Sequence, residues 1–196
     1  MTEDQKRACG MLYDANYDGE IVQQRVACQD LCHRYNALLP SQIQERESLL
    51  RGLLGQTGER FVIEQPFWCD YGIRIRLGED FYSNHHLVIL DAAPVTIGDH
   101  VFIGPNCGIY TAGHPLNPYL RAQGLEYAKP VTLGSYVWLG AHVVVLPGVT
   151  IGAHTVVGAG SVVTRDLPAG VLAAGNPCRV LRPLTNEELA EPSSSR

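Results

Sequence analysis

The stretch Thr111-Ala112-Gly113-His114-Pro115-Leu116-Asn117-Pro118 holds a histidine between a glycine and a proline. Imidazole takes and gives protons near neutral pH, so a side chain in this setting suits removal of a proton from a hydroxyl. Most loop histidines do no such thing, and His114 is a candidate base only if the rest of the chain builds a site around it. The six cysteines, Cys9, Cys28, Cys32, Cys69, Cys107 and Cys178, follow no framework spacing and read as free thiols in a reducing compartment. Cys28, Cys32 and His33 fall within about a turn of one another, as metal ligands can, but small apolar residues on a packed helix face account for them, and no metal is expected. Cys107 sits inside a regular repeat and reads as a core residue rather than a nucleophile.

The repeat is what must position the histidine. From Leu77 almost to the C-terminus the chain recurs every six residues: a branched aliphatic residue, usually Gly, two polar or small residues, then a small or β-branched one. Leu133-Gly134-Ser135-Tyr136-Val137-Trp138 and Ile151-Gly152-Ala153-His154-Thr155-Val156 show it most clearly, with units also opening at Leu139 and Val145. Six residues make one short strand and one turn, so three units close a triangular coil of a parallel β-helix, with the aliphatic residue inward and Gly accommodating the corner. Earlier units open at Leu77, Ser83 and Ile89, Val95-Thr96 shifts the phase, and Ile97, Ile103 and Ile109 resume it; Val157 and Val163 continue it before Pro168, Gly170, Gly175 and Pro177 end it. Between Tyr110 and Pro130 the pattern lapses, and that segment, which carries His114, reads as an excursion from the prism. Side chains at equivalent positions stack in columns, so any site draws on residues far apart in sequence.

Ahead of the prism, Val22, Val26, Leu31, Tyr35 and Leu38 recur at helical intervals within residues 21–39. A second helix is predicted over residues 43–54, with Ser41 as N-cap and Gln44 in the capping-box position. These helices cover the open N-terminal end of the β-helix, whose strand edges would otherwise be unpaired. The expected organisation is a helical cap over residues 1–60, a β-helix over 61–182 with the loop 110–130, and a C-terminal tail over 183–196 that is disordered from Thr185 on, in one functional domain. A hydrophobic fraction of 45% supports a packed core, while the net charge of −5 argues against nucleic acid as a partner. No apolar run is long enough to span a membrane and the N-terminus lacks a signal-peptide apolar region, so a cytoplasmic location is expected.

The hexapeptide prism combines with several less common motifs: Cys9-Gly10-Met11-Leu12-Tyr13-Asp14-Ala15-Asn16-Tyr17-Asp18, Phe81-Tyr82-Ser83-Asn84, Gly113-His114-Pro115, Gly124-Leu125-Glu126-Tyr127-Ala128-Lys129-Pro130, Val137-Trp138-Leu139-Gly140 and Ala174-Gly175-Asn176-Pro177-Cys178-Arg179-Val180. Together they resemble the maltose and galactoside O-acetyltransferases, over about residues 6 to 182. The resemblance implies a left-handed β-helix, an exception to the right-handed crossover rule. It also implies a homotrimer with acetyl-CoA as co-substrate in grooves between adjacent prisms, and the primary hydroxyl of a sugar such as maltose or glucose as acceptor. His114 would act as general base in direct transfer, without an acyl-enzyme. A backbone N–H near Gly140-Ala141 would bind the developing oxyanion.

By the same resemblance, Asn84 lies in the acceptor pocket and serves the reaction, with Tyr82, Asp70, Glu126 and Asp14 also on the sugar. Asp70 and Glu126 look more like the maltose branch than the galactoside branch. Gly140, Ala141 and Ala159 would line the pantetheine arm beside Trp138, and Thr164, Arg165, Arg179 and Arg182 would receive the nucleotide phosphates. Three rivals remain. An O-acetyltransferase acting on a xenobiotic such as an antibiotic would share the base and the donor. A γ-type carbonic anhydrase shares the prism but needs a three-histidine zinc cage, whereas His100, His142 and His154 occupy equivalent turn positions in separate hexads. A non-catalytic scaffold would explain the repeat but not the His114 loop.

Overall fold

The computed structural model describes residues 1–190. Its core is a prism of parallel coils with three strand faces. The first face stacks Ile75–Leu77, Val95–Ile97, Val131–Leu133 and Thr150–Ile151. The second stacks Phe61–Ile63, Phe81–Ser83, Phe102–Ile103, Trp138–Leu139, Val156–Val157 and Val171–Gly175, and ends in the antiparallel strand Cys178–Pro183. The third stacks Phe67–Cys69, Leu87–Leu90, Gly108–Tyr110, Val144–Val145 and Val162–Val163. Leu133, Leu139, Val145, Ile151, Val157 and Val163, which open successive hexads, are each no more than 1% exposed. Each burial removes aliphatic surface from water, worth about 1.5–3 kcal/mol per side chain.

The prism begins earlier than the hexads suggest. Gln56 already bridges to Arg76, and Phe61–Ile63 pairs with Phe81–Ser83. Arg76 faces Thr96 across one early coil, whereas Thr132 faces Thr150 across a later one, so the early coils are longer than three hexads and the later ones fit them. The added corner residues blur the period upstream.

The glycines serve a different purpose from the one expected. A Cβ on Gly140 would lie 2.7 Å from the Ala159 nitrogen in the next coil, and one on Gly152 would lie 2.3 Å from that of Ala169. Close stacking between coils excludes a side chain there. The left-handed backbone falls two residues later, on His100, Asn106, Tyr136, His142 and His154, with φ between 56° and 61°. Asn and His tolerate this region better than most residues.

Helix α1 (Glu3–Ala8) precedes α2 (Gly19–Ala37) and α3 (Ile43–Leu53). Helix α2 buries Ile21, Cys28, Cys32 and Tyr35, while Val26 of the expected stripe is 49% exposed. Its face is set by docking on Phe67–Cys69, where the Asn36 side chain both donates to the Phe67 carbonyl and accepts from its N–H at 2.9 Å. The edge-facing N–H and carbonyl of Phe67 are thereby satisfied. Helix α3 is capped by Gln42, without a side-chain cap bond, rather than by Ser41. At the other end the expected disorder does not hold for residues 185–190. Helix α5 (Asn186–Leu189), numbered after α4 (Pro118–Ala122) in the excursion, forms behind a capping box of Thr185 and Glu188, and the remainder of the predicted tail lies outside the described residues. Among the described residues no helix is long and apolar enough to cross a membrane.

Candidate active site

The chain leaves the third face after Tyr110, but the excursion is not structureless. Ala112–Gly113 pairs antiparallel with Leu125–Ala128, and the far edge of that strand takes Tyr13–Asp14. Helix α4 closes the loop between them, with Asn117 capping it. A Cβ on Gly113 would lie 2.5 Å from the end of the Tyr127 ring, so the ring packs close over the backbone there. This small sheet carries His114. The His114 Nδ1 lies 3.0 Å from the Leu125 carbonyl oxygen, which can only accept, so Nδ1 holds the proton and Nε2 presents its lone pair. Nε2 is 3.8 Å from Glu126 Oε1, and Glu126 Oε2 accepts the Tyr13 hydroxyl at 2.8 Å. Burial, and then the Glu126 charge, push the Tyr13 phenol upward, so it stays a donor.

Beside this sheet the corner following the third face stacks acidic residues. Asp91, fully buried, accepts the N–H groups of Asp70 at 3.1 Å and Tyr71 at 2.8 Å. Burial raises the Asp91 carboxyl. Burial, and next the Asp91 charge, raise Asp70 from 3.8 to about 6, against the pull of Arg25, with Glu126 adding to the rise. Asp70, Glu126 and His114 therefore share one side of the molecule. Asp14 anchors the same region, but its carboxylate accepts from the Asn16 and Tyr17 N–H groups in a turn. Tyr13, Arg25 and Asp91 were missed from sequence. Arg25 donates to the Ala15 carbonyl at 3.1 Å. Only Asp91 left a signal, as an acidic residue directly after the apolar run Leu87-Val88-Ile89-Leu90.

The other expected residues lie at a different corner, after the second face. The Asn84 N–H donates to Ile103 and the Gly140 N–H to Val157, which puts both in one column, with Ala141 and Ala159 beside it. Two residues before each corner, Tyr82, Phe102 and Trp138 line up in register; Trp138 is 55% exposed. Cys107 is buried, its thiol raised by burial and donating to the Gly140 carbonyl at 3.1 Å, so it is core as expected. The phosphate-end residues come from two segments. Thr164 and Arg165 are exposed past Val162–Val163, while Arg179 and Arg182 sit on the last strand, and Arg182 is held by both oxygens of Glu188 at 2.7 and 2.8 Å. The Arg179 guanidinium turns back onto the Cys178 carbonyl. His100 and His154 stack on either face of Tyr136, and His142 occupies another corner column, its N–H bonded to Pro105, so these histidines form no zinc cage.

A parallel prism of hexapeptide coils without a three-histidine cage is the architecture expected of a hexapeptide-repeat acyltransferase. Patterns described as a maltose acetyltransferase hexapeptide capping motif, a bacterial transferase hexapeptide and a hexapeptide repeat of succinyl-transferase match residues 6–58, 130–165 and 94–115. The chain is 53% identical over 179 residues to a putative acetyltransferase of Saccharomyces cerevisiae, covering 91% of each chain. A maltose O-acetyltransferase from Clostridium difficile superposes with a TM-score of 0.92 at 44% identity, covering 95% of this chain and 99% of that one. A galactoside acetyltransferase solved with coenzyme A gives 0.93 at 39%, covering 97% and 95%. The chain belongs to the maltose and galactoside O-acetyltransferase family.

Proposed function

We propose that this protein transfers the acetyl group of acetyl-CoA to a sugar hydroxyl, the primary one, with His114 as general base. One observation carries the reading: the Leu125 carbonyl fixes the His114 tautomer so that Nε2 faces the Glu126 side with a free lone pair. Nε2 takes the hydroxyl proton as the oxygen attacks the thioester carbonyl, and returns it to the departing coenzyme A sulfur. Glu126 steadies the imidazolium formed between these two transfers, and Tyr13 holds Glu126 in place. Asp70, half protonated near pH 6, can donate to or accept from the acceptor hydroxyls. The Gly140 N–H is already bonded to Val157, whereas the Ala141 N–H has no protein acceptor among the described residues, so Ala141 is the donor for the oxyanion.

His114 and the Gly140-Ala141 column occupy different corners of one prism. A second copy bringing its second-face corner against the first copy's loop would unite them, which supports a homotrimer with its sites between subunits. The coenzyme A arm would then run along Gly140, Ala141 and Ala159 beside Trp138 toward Thr164, Arg165 and Arg179, and Arg182 would exchange Glu188 for phosphate. The carboxylates of Asp70 and Glu126 favour a polyhydroxyl acceptor such as maltose or glucose over an antibiotic.

The test is thiol release from acetyl-CoA with glucose, maltose, a β-galactoside and chloramphenicol as acceptors, for the parent and His114→Ala. Release that needs His114 and is fastest with the glucosides supports the reading. Preference for chloramphenicol would reassign the acceptor, and full turnover by His114→Ala would remove the base. Mixed oligomers of His114→Ala and Trp138→Ala chains should recover activity that neither variant has alone; if they do not, the shared site is wrong.

A further inference from the structure

The cysteines on α2 were expected to be packing residues, and the fold adds a third thiol to them. Cys28 and Cys32, one helical turn apart, meet Cys69 at the end of the first third-face strand. The Cys69 sulfur lies 3.6 Å from that of Cys28 and 3.7 Å from that of Cys32, and all three lie within 4.8 Å of one another. Thiolates around a tetrahedral zinc at about 2.3 Å stand about 3.8 Å apart, so both pairs that Cys69 makes are already at ligand spacing. His33 points to solvent and takes no part.

The surroundings also suit a cation. The Cys69 sulfur is within hydrogen-bond reach of both helix thiols, and either sulfur of each pair can be the donor. Asp70 follows Cys69 in the chain, and the buried Asp91 carboxyl accepts the Asp70 N–H at 3.1 Å, so acidic groups stand next to the cluster. Cys28 lines a pocket of about 260 Å³ with Gln24, Leu31, Leu53, Tyr71 and Ile73, which offers a route in from solvent. Gln24 lies one turn before Cys28 on that wall, and its Oε1 is buried without a hydrogen-bond partner among the described residues.

We propose that Cys28, Cys32 and Cys69 bind a soft divalent metal ion of the zinc type at the seam between the helical cap and the first coils. The three sulfurs are the protein ligands, and the side of the cluster facing the pocket supplies the remaining position. Binding releases thiol protons, so affinity rises with pH. The ion pins α2 to the prism and has no part in acetyl transfer, so the test uses no activity assay.

Reduced full-length protein is titrated with Cd²⁺, which reports thiolate ligation by a sulfur-to-metal charge-transfer band. The expected result is saturation at one ion per chain, competition by Zn²⁺, and a cadmium X-ray absorption spectrum with three sulfur neighbours. Cys9→Ser keeps the band; Cys69→Ser, checked for folding by circular dichroism, weakens binding by about 100-fold. Absence of a saturable band, or a spectrum with fewer than two sulfurs, would show packed thiols only and overturn the proposal. The sulfur count is made on the parent protein and decides the matter even if Cys69→Ser fails to fold.

Discussion

The coils from Val131 to Val163 and the small sheet that holds His114 are built on opposite plans. In the coils each strand pairs with the one three hexads further on, and each inward side chain is buried by others at the same place in the period. In the small sheet Tyr13 pairs with Glu126, a residue from the far side of the sequence, over a small apolar cluster that includes Ala92 and Ala128. Hydrogen bonds tie that sheet to the prism: the Lys129 N–H on the Thr111 carbonyl and the Thr111 hydroxyl on the Leu90 carbonyl. One region stores stability in repeated apolar burial, and the other holds a few chemical groups at fixed angles. Loss of a group from the sheet should damage chemistry, and loss from the coils should damage the fold.

His114→Ala tests the first half: turnover should fall by about 10² to 10⁴, with the melting temperature unchanged, read by thiol release and calorimetry on the same sample. A comparable drop in melting temperature would erase the distinction. Leu139→Ala tests the second. Leu139 is fully buried, so the cavity should cost about 2–5 kcal/mol and lower the melting temperature by roughly 10 °C, while the remaining folded protein keeps its kcat.

Asp70 sits where the two regions meet. Its carboxyl is raised in the fold from 3.8 to about 6, so between those values the folded state binds more protons than the unfolded one. Stability therefore falls as pH rises through that window and stays reduced above it. Asp70→Asn should be more stable than the parent by on the order of 2 kcal/mol at about pH 7.5 and show no gain below about pH 4; urea unfolding at the two pH values measures the difference. The smallest effect is at a corner. His142 has φ of 58°, and His142→Gly should relieve that backbone and stabilise the prism by about 0.5 kcal/mol, seen as a slightly higher urea midpoint.

The same contrast explains what could be read from the chain. Leu133 to Val163 announce their inward positions because a solenoid turns a local period directly into a core. Upstream, corners such as Asp91-Ala92-Ala93-Pro94 lengthen the coil beyond three hexads, and the period fades although the packing continues. The Tyr13 to Glu126 bond and the meeting of Cys69 with Cys28 leave no periodic trace, since each joins segments that only the finished fold brings together. Helix α5 was legible, because Thr185 and Glu188 stand at the capping-box spacing, but the polar composition around them masked it. The sequence itself proposed His114 and the resemblance added Glu126, while physical chemistry on the folded chain added Tyr13, Arg25 and Asp91.

The fixed repeat of three hexads also governs how such a molecule can change length. A single residue inserted into a strand of the regular coils would turn every side chain beyond it to the opposite side of its face until the next corner. A whole added coil keeps all positions in phase and lengthens the prism by about 4.8 Å. Natural variation in the prism should therefore come in whole coils, leaving the segment from Tyr110 to Pro130 as the place where length can drift one residue at a time.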